Sequence, residues 1–442
     1  MNITQFTIEE VRCFAERQTF EIRPLTFLVG ENSTGKTTAL ACFHVLADFL
    51  KNARQDFNVA PYSMGIFSDI VRRSHKKEKA FRLGFTIVDV AGNTMTSTVE
   101  FCEQKNEYEP KIRSVSFDLS DGDVILQADD TVEGEVEVSE IGEGQNRFLL
   151  KVRPSTLNGH DPFFLMSFLA ETSLAEKSDF RSSFASYYLK EQNQKGSEVL
   201  GKGFDEAFYV LSTSPVRSRP KRTYDPTREF DDPEGSDVPM RLMRIEATNS
   251  QSWKQLKRQL DAFGESSGLF QSIDVKNLGR SAGAPFQLKV KVRGPNANIM
   301  DVGYGISQVL PILVHIFSVP ASARGMTGIQ KMGYYLLQQP EVHLHPKAQA
   351  ELSSLLSQLA RTGKQSFIVE THSDYLVDRA RIEIRRGNIG PEDVSLIYLE
   401  PTRNTVKVHN ISFDEMGNMI GVPPKFRDFF LLESDRLMGF ED

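Results

Sequence analysis

Leu25-Thr26-Phe27-Leu28-Val29-Gly30-Glu31-Asn32-Ser33-Thr34-Gly35-Lys36-Thr37-Thr38 decides the fold of this 442-residue chain. Leu25–Val29 is a run that reads as a buried central strand. Gly30 to Thr37 fits G-x-x-x-x-G-K-[ST], and Lys36–Leu50 then reads as a helix. Glycines let the backbone curl so that successive N–H groups point at phosphate oxygens, and the helix N-terminus adds its dipole. In such a loop Lys36 neutralises β- and γ-phosphate charge, and Thr37 holds Mg²⁺. The competing possibility, a strand–helix turn that binds nothing, is disfavoured by the flanking strand and helix. Gly30, Glu31, Asn32, Ser33, Thr34, Gly35, Lys36, Thr37 and Thr38 are therefore expected to bind ATP, with Mg²⁺ as its companion.

Outward from this motif, Ile3–Ile8 and Thr19–Ile22 read as strands. Phe81–Val90, Thr94–Phe101, Ser114–Asp118, Val124–Gln127 and Arg147–Val152 follow as an antiparallel set, with Ser120-Asp121-Gly122-Asp123 as a hairpin turn. Phe163–Ala170, Phe180–Leu189 and Ser252–Phe263 have helical spacing, and Arg217–Asp237 is rich in Pro, Arg and Asp without a period. Phe286–Val292, Tyr334–Leu337, Ser366–Glu370, Val394–Glu400 and Thr405–His409 read as strands. Helices are expected at Ile306–Phe317, Pro346–Arg361 and after Ser373. The alternation implies an α/β fold: a mixed, largely parallel sheet with flanking helices plus an antiparallel β-subdomain. Residues 1–158 form the N-terminal half of the core, 159–280 a mostly helical insertion, and 281–442 the C-terminal half.

A net charge of −7 does not mark the whole chain as a nucleic-acid binder. Cys13, Cys42 and Cys102 are too few and too scattered for a disulfide framework or a zinc site, which fits a reducing cytoplasm. Met1–Glu10 lacks an apolar signal core, and no stretch reaches the roughly 18 apolar residues of a membrane span.

Three further motifs stand in order. Asp301-Val302-Gly303-Tyr304-Gly305-Ile306-Ser307-Gln308 leads into a helix, and Ser307 there serves either as a bare N-cap or in an anion site. Tyr334–Pro346 is an apolar strand running into Gln338-Gln339-Pro340-Glu341-Val342-His343-Leu344-His345 and a proline-started helix. His343 and His345 suit loop packing better than a metal site. In Phe367–Asp374, His372 either senses a γ-phosphate or is an exposed residue beside a Ser373 cap. Arg217, Arg219, Lys221, Arg222 and Arg228 offer a nucleic-acid path or a solvated, ion-paired loop without the aromatics that stacking needs. Arg379, Arg381, Arg385 and Arg386 read as an exposed helix face.

Together these residues resemble the ABC-type ATPases related to the overcoming-lysogenization-defect (OLD) proteins, and more distantly RecF and structural maintenance of chromosomes heads. Gly30–Thr38 resembles Walker A, and Phe67-Ser68-Asp69-Ile70-Val71 the Q-loop region. Gly303–Gln308 resembles the signature motif, Gln338–Pro346 a Walker B with its D-loop, and Thr371-His372-Ser373 the switch loop. Pro215–Tyr224 and the tail Gly417–Phe430 resemble segments of a bacterial subfamily. The resemblance implies an ABC-ATPase head that dimerises, or forms a higher homo-oligomer, around ATP. Gly303, Gly305, Ser307 and Gln308 of one chain then face the P-loop of another.

The family has two acids where this chain has Gln338 and Gln339. Gln338 is the expected metal position, and Gln339, Glu341 and His372 are the expected hydrolytic residues, with Glu341 the nearest carboxylate. An amide is a poor base and a weak Mg²⁺ ligand, so hydrolysis is expected to be slow or partner-gated. About forty residues follow Glu400, too few for the Toprim nuclease that ends many OLD proteins. The chain resembles the ATPase partners of the Septu and PARIS phage-defence systems, which implies a separate nuclease or toxin effector. A RecF-like repair motor and a pseudo-ATPase that only assembles are the alternatives.

Overall fold

Strand β3 (Leu25–Gly30) is the middle strand of a seven-stranded sheet, and its side chains divide between two cores. Leu28 packs into one hydrophobic cluster, and Leu25 and Phe27 into the other. A strand apolar on both faces can sit only inside a layered α/β core. The computed structural model describes residues 2–52, 55–73, 79–88, 92, 94–104, 107–119, 122–129, 136–140, 147–152, 208–226, 232–281, 283–318, 332–424, 426, 436 and 438.

In chain order the N-terminal elements are β1 (Asn2–Glu9), β2 (Gln18–Glu21), β3, α1 (Lys36–Asn52), α2 (Phe67–Ile70), β4 (Ala80–Val88), β5 (Thr94–Cys102), β6 (Lys111–Leu119), β7 (Gly122–Ala128), β8 (Val136–Glu140) and β9 (Arg147–Val152). Next come β10 (Phe208–Thr213), α3 (Val238–Thr248), α4 (Ser250–Ser267), β11 (Ser272–Asn277), β12 (Phe286–Lys291) and β13 (Ala297–Asn298). The last are α5 (Tyr304–Phe317), β14 (Met332–Gln338), α6 (Pro346–Ala360), β15 (Gln365–Glu370), α7 (Asp374–Arg385), β16 (Val394–Pro401), β17 (Val406–Phe413) and β18 (Met419–Ile420).

The order β10-β14-β15-β3-β16-β17-β18 is parallel through its first five strands, with an antiparallel edge. A second, eight-stranded sheet runs β2-β1-β4-β5-β6-β7-β9-β8 and is antiparallel except where β7 meets β9. Helix α1 is buried between the two sheets: Phe43 packs on Phe85 of the antiparallel sheet and on Tyr334 of the parallel one. Tyr334 also accepts the Ile3 N–H at 2.8 Å, tying the sheets together. The other face of the parallel sheet is covered by α3 to α7. Buried Asp237 joins α3 to α5 by accepting from Arg241 (3.1 Å) and meeting His315 (3.4 Å).

The expected α/β architecture, a largely parallel sheet with flanking helices and an antiparallel β-subdomain, is the one observed. Within 159–280 the described residues hold α3, α4 and β11, but also β10, which adds an edge strand to the main sheet. Phe163–Ala170 and Phe180–Leu189 lie outside the described residues. So do residues 120 and 121, although Leu119 pairs with Gly122 across the expected hairpin.

Candidate functional site

A parallel sheet gathers the C-terminal ends of its strands along one edge, where loops carry chemistry. Here β3, β14 and β15 end together, bringing Gly30–Thr38, Gln338–His345 and Glu370–Ser373 side by side. The Gly30–Thr38 loop wraps the start of α1. Gly35 has φ 91°, and a Cβ there would meet Cys13 Sγ at 2.6 Å, so only glycine fits this tight turn. Lys36 Nζ donates back to the carbonyls of Gly30 (3.0 Å) and Glu31 (2.7 Å). Its ammonium thus closes over a loop whose amides and cation suit a polyphosphate. Burial pushes this ammonium below its usual range, while Glu370 and Glu31 oppose the shift.

Glu370 was not among the expected site residues, and the structure brings it to the P-loop. Thr37 Oγ1 lies 3.0 Å from both Glu370 carboxylate oxygens and donates to them. Gln338, the expected metal position, pairs in register with Glu370 on the next strand. It is buried, and its Nε2 has no partner. The sequence signal for Glu370 was an acid ending the buried run Ser366–Val369, where an ionised side chain needs a compensating partner.

Glu341 is buried and bridges the two loops: its Oε1 accepts the His372 N–H at 2.9 Å, and its Oε2 has no partner. Burial pushes its carboxyl up, opposed by the His372 amide and the charge of Arg217. Glu370 is raised by burial too, and the neighbouring Glu341 charge adds to the rise. His372 is exposed; partial withdrawal of its ring from solvent, then the charge of Lys36, push it below its ordinary value of 6.5. Ser373 caps α7 by accepting from Leu376, and Gln339, half-buried, donates its backbone N–H to the Glu370 carbonyl at 2.8 Å.

Because the folded pKa of Glu341 lies above its ordinary 4.5, ionising it costs stability, in full above the folded value and not at all below about 4.5. Glu341→Gln keeps an acceptor for His372 N–H. Its stability gain over wild type is expected to be full at about pH 8 and to fade toward about pH 4, as measured by urea unfolding across that range. A pH-independent difference would contradict the buried carboxylate.

Arg217 requires a correction. It was expected either on a nucleic-acid path or in a solvated, ion-paired loop, but it is buried beneath the β14 tip. Strand β10 lies beside β14, and four residues past its end Arg217 Nη2 donates to the carbonyls of Gln338 (2.9 Å) and Gln339 (3.3 Å). Its Nε and Nη1 are buried without partners, and burial lowers it to about 10 against the pull of Glu341. Arg222 is spoken for by Asp301 (2.6 Å), and Arg228 lies outside the described residues. Of the α7 arginines, expected as an exposed face, Arg385 and Arg386 are exposed and Arg379 and Arg381 half-buried, and each has a partner. Arg379 pairs with Glu351, Arg381 with Asp378, Arg386 with Glu383, and Arg385 donates to the Met416 carbonyl.

Ser307 and Gln308 are also placed differently from expectation. Helix α5 is buried from Ile306 to Ile316, with Ser307 and Gln308 among the buried residues, so neither is presented at the surface. The Ser307 hydroxyl donates to the Tyr304 carbonyl at 2.7 Å. What α5 shows outward is its first turn, where Gly303 and Tyr304 are exposed. That turn rests on the β14 loop: the Tyr304 ring meets His343 at 4.9 Å, and Gly305 lies against the His343 carbonyl. His345 caps α6 by accepting from Lys347.

Backbone strain concentrates here. Among the described residues, the non-glycine positions with positive φ are Glu10, Arg12, Ser33, Gln339 and His343. Three of them lie in the P-loop and the β14 loop, a distribution typical of functional sites. Arg12 borders the P-loop, donating to Thr38 Oγ1 at 3.3 Å. It lines a cavity of about 390 Å³ with Ser68, Asp69, Val71, Arg72, Arg73 and Asn404.

Residues 223–377, which is 155 of the 442, match the family described as the AAA ATPase domain. No curated protein matches the chain. Among solved structures, the chain is similar to an SMC head bound to the C-terminal winged-helix domain of ScpA. The identity is 11%, 94% of this chain and 99% of that one are covered, and the TM-score is 0.48. The SMC head domain from Thermotoga maritima matches at 9% identity, covering 92% and 98%, with a TM-score of 0.39. An SMC head from Pyrococcus furiosus with an extended coiled coil, bound to the C-terminal domain of ScpA, matches at 13%, covering 98% and 99%, with a TM-score of 0.42. The P-loop geometry and the matched family converge on an ATPase core. Among the described residues no helix is long and apolar enough to cross a membrane.

Proposed function

We propose that the chain is an Mg²⁺-dependent ATP switch that closes as a homodimer around nucleotide and controls a separate effector, a nuclease or toxin, in bacterial defence against phage. The observation that carries the nucleotide reading is Lys36 folded onto its own loop carbonyls beside Thr37 and Glu370. A bound triphosphate would take Lys36 from those carbonyls. Mg²⁺ would sit against the Thr37 hydroxyl and polarise the β- and γ-phosphate oxygens. At the place for the attacking water Gln339 is an amide and Glu341 is buried, which leaves the exposed His372 as the group able to accept a proton. With neither carboxylate of a usual Walker B tip present, slow turnover is the expected result. The cavity beside Arg12 and Thr38 has room for the base and ribose. The effector and defence part of the proposal rests on the likeness of the motifs to the ATPase partners named above. A RecF-like motor gains little support, because Arg217 is buried and Arg222, though exposed, is paired with Asp301.

Dimer closure would use the exposed first turn of α5, offered to the γ-phosphate in trans. Gly305→Ala tests this. Its Cβ would stand 2.7 Å from the His343 carbonyl, so the turn must shift off the β14 loop. We expect ATP-driven association to weaken by about tenfold, with ATP affinity of the single chain unchanged. Unaltered association would remove α5 from the interface.

The functional test is ATP binding and steady-state turnover by purified protein, followed by co-purification from the native host. Tight binding, slow turnover and an associated nuclease or toxin support the proposal. Fast turnover untouched by Glu341→Gln, or DNA-stimulated turnover with no effector, would favour the motor.

A further inference from the structure

Mg²⁺ takes oxygen ligands in near-octahedral geometry, and at nucleotide sites it is held by one or two carboxylates besides phosphate oxygens. At the β14 tip of this chain there is no such group: Gln338 and Gln339 are neutral amides, and their oxygens are weak ligands for a hard cation. One strand over, Glu370 ends β15, directly paired with Gln338 in parallel register. Register partners on adjacent parallel strands point to the same side of the sheet, about 4.8 Å apart. Strand β15 lies between β14 and β3, so residue 370 is one strand nearer the P-loop than residue 338.

We propose that Glu370 is the metal-holding carboxylate of this site: the acid missing from the β14 tip has moved across the sheet to its register partner on β15. Both Glu370 oxygens lie 3.0 Å from Thr37 Oγ1, so carboxylate and hydroxyl already converge on one point at the P-loop. Mg²⁺ between them would replace the present hydrogen bond. Gln338, buried beside the Tyr62 hydroxyl, is the uncharged polar residue at the register position facing Glu370. The exchange would let a chain with an uncharged Gln-Gln tip still hold a divalent cation. The inference rests on ATP binding at the P-loop.

The test is the affinity for ATP measured twice, with Mg²⁺ and with EDTA, in wild type, Glu370→Gln and the double variant Gln338→Glu/Glu370→Gln. Mn²⁺ replacing Mg²⁺ gives an independent readout of metal occupancy by electron paramagnetic resonance. In wild type, Mg²⁺ is expected to tighten ATP by at least about tenfold. In Glu370→Gln that ratio should fall to near one while affinity in EDTA is kept or improved, and the double variant should recover it. A full Mg²⁺ ratio in Glu370→Gln, or an equal loss with and without metal, would overturn the assignment while leaving ATP binding standing. No recovery in a folded double variant would overturn the exchange. No ATP binding by wild type in either buffer would remove the nucleotide reading and this inference with it.

Discussion

Lys36→Ala is expected to weaken ATP binding by roughly 100-fold, about 3 kcal/mol, with little change in the stability of the nucleotide-free chain. The asymmetry follows from what Lys36 does in each state. In the fold described its buried ammonium bonds two loop carbonyls, Gly30 O and Glu31 O, and the neighbouring loop residues Glu31 to Ser33 are exposed, so water can reach those carbonyls once the side chain is cut back. With nucleotide it would be the buried cation facing the β- and γ-phosphates, and charge-assisted bonds lost there are not replaced. Titration calorimetry with ATP, together with thermal unfolding of both proteins, separates the two effects. Binding within a few-fold of wild type would mean that the loop does not hold phosphate.

Arg217→Met is expected to cost about 2–3 kcal/mol of stability and to lower turnover more than tenfold, while ATP affinity stays within about twofold. Methionine matches much of the volume but strips the donor from the carbonyls of Gln338 and Gln339. It also removes the cation that opposes the buried charge of Glu341. Gln339 holds a strained backbone at φ 41°, and the Arg217 clamp is the side-chain contact that fixes its carbonyl. Losing the clamp should misplace the β14 tip without touching the P-loop. Arg217→Lys should recover part of the turnover. A variant with weakened ATP binding and unchanged turnover per bound nucleotide would contradict this role.

Much of the fold was legible because its signals are local. The Leu25–Val29 run, the glycines and Lys36 announce a buried strand, a phosphate turn and a helix within fourteen residues. The two-fold alternation of β14, with Tyr334 and Leu336 in one core and Tyr335 and Leu337 in the other, is equally local. What stayed hidden depends on neighbours distant in sequence. The role of Glu370 requires knowing that β15 inserts between β14 and β3, a strand order that no local pattern encodes. Arg217 sits among Arg219, Lys221 and Arg222, and composition cannot tell a buried guanidinium from its exposed neighbours. The burial of Ser307 had a usable signal. Ile306, Val309, Leu310, Ile312, Leu313, Val314 and Ile316 make α5 largely apolar, the composition of a buried helix.

The central claim, a chain that closes on itself around ATP, is tested most directly by light-scattering mass with and without Mg²⁺–ATP, beside Lys36→Ala. The account predicts that nucleotide shifts wild type from the 49.8 kDa chain to twice that mass and leaves Lys36→Ala unshifted. A mass that stays the same when calorimetry shows ATP bound would contradict it.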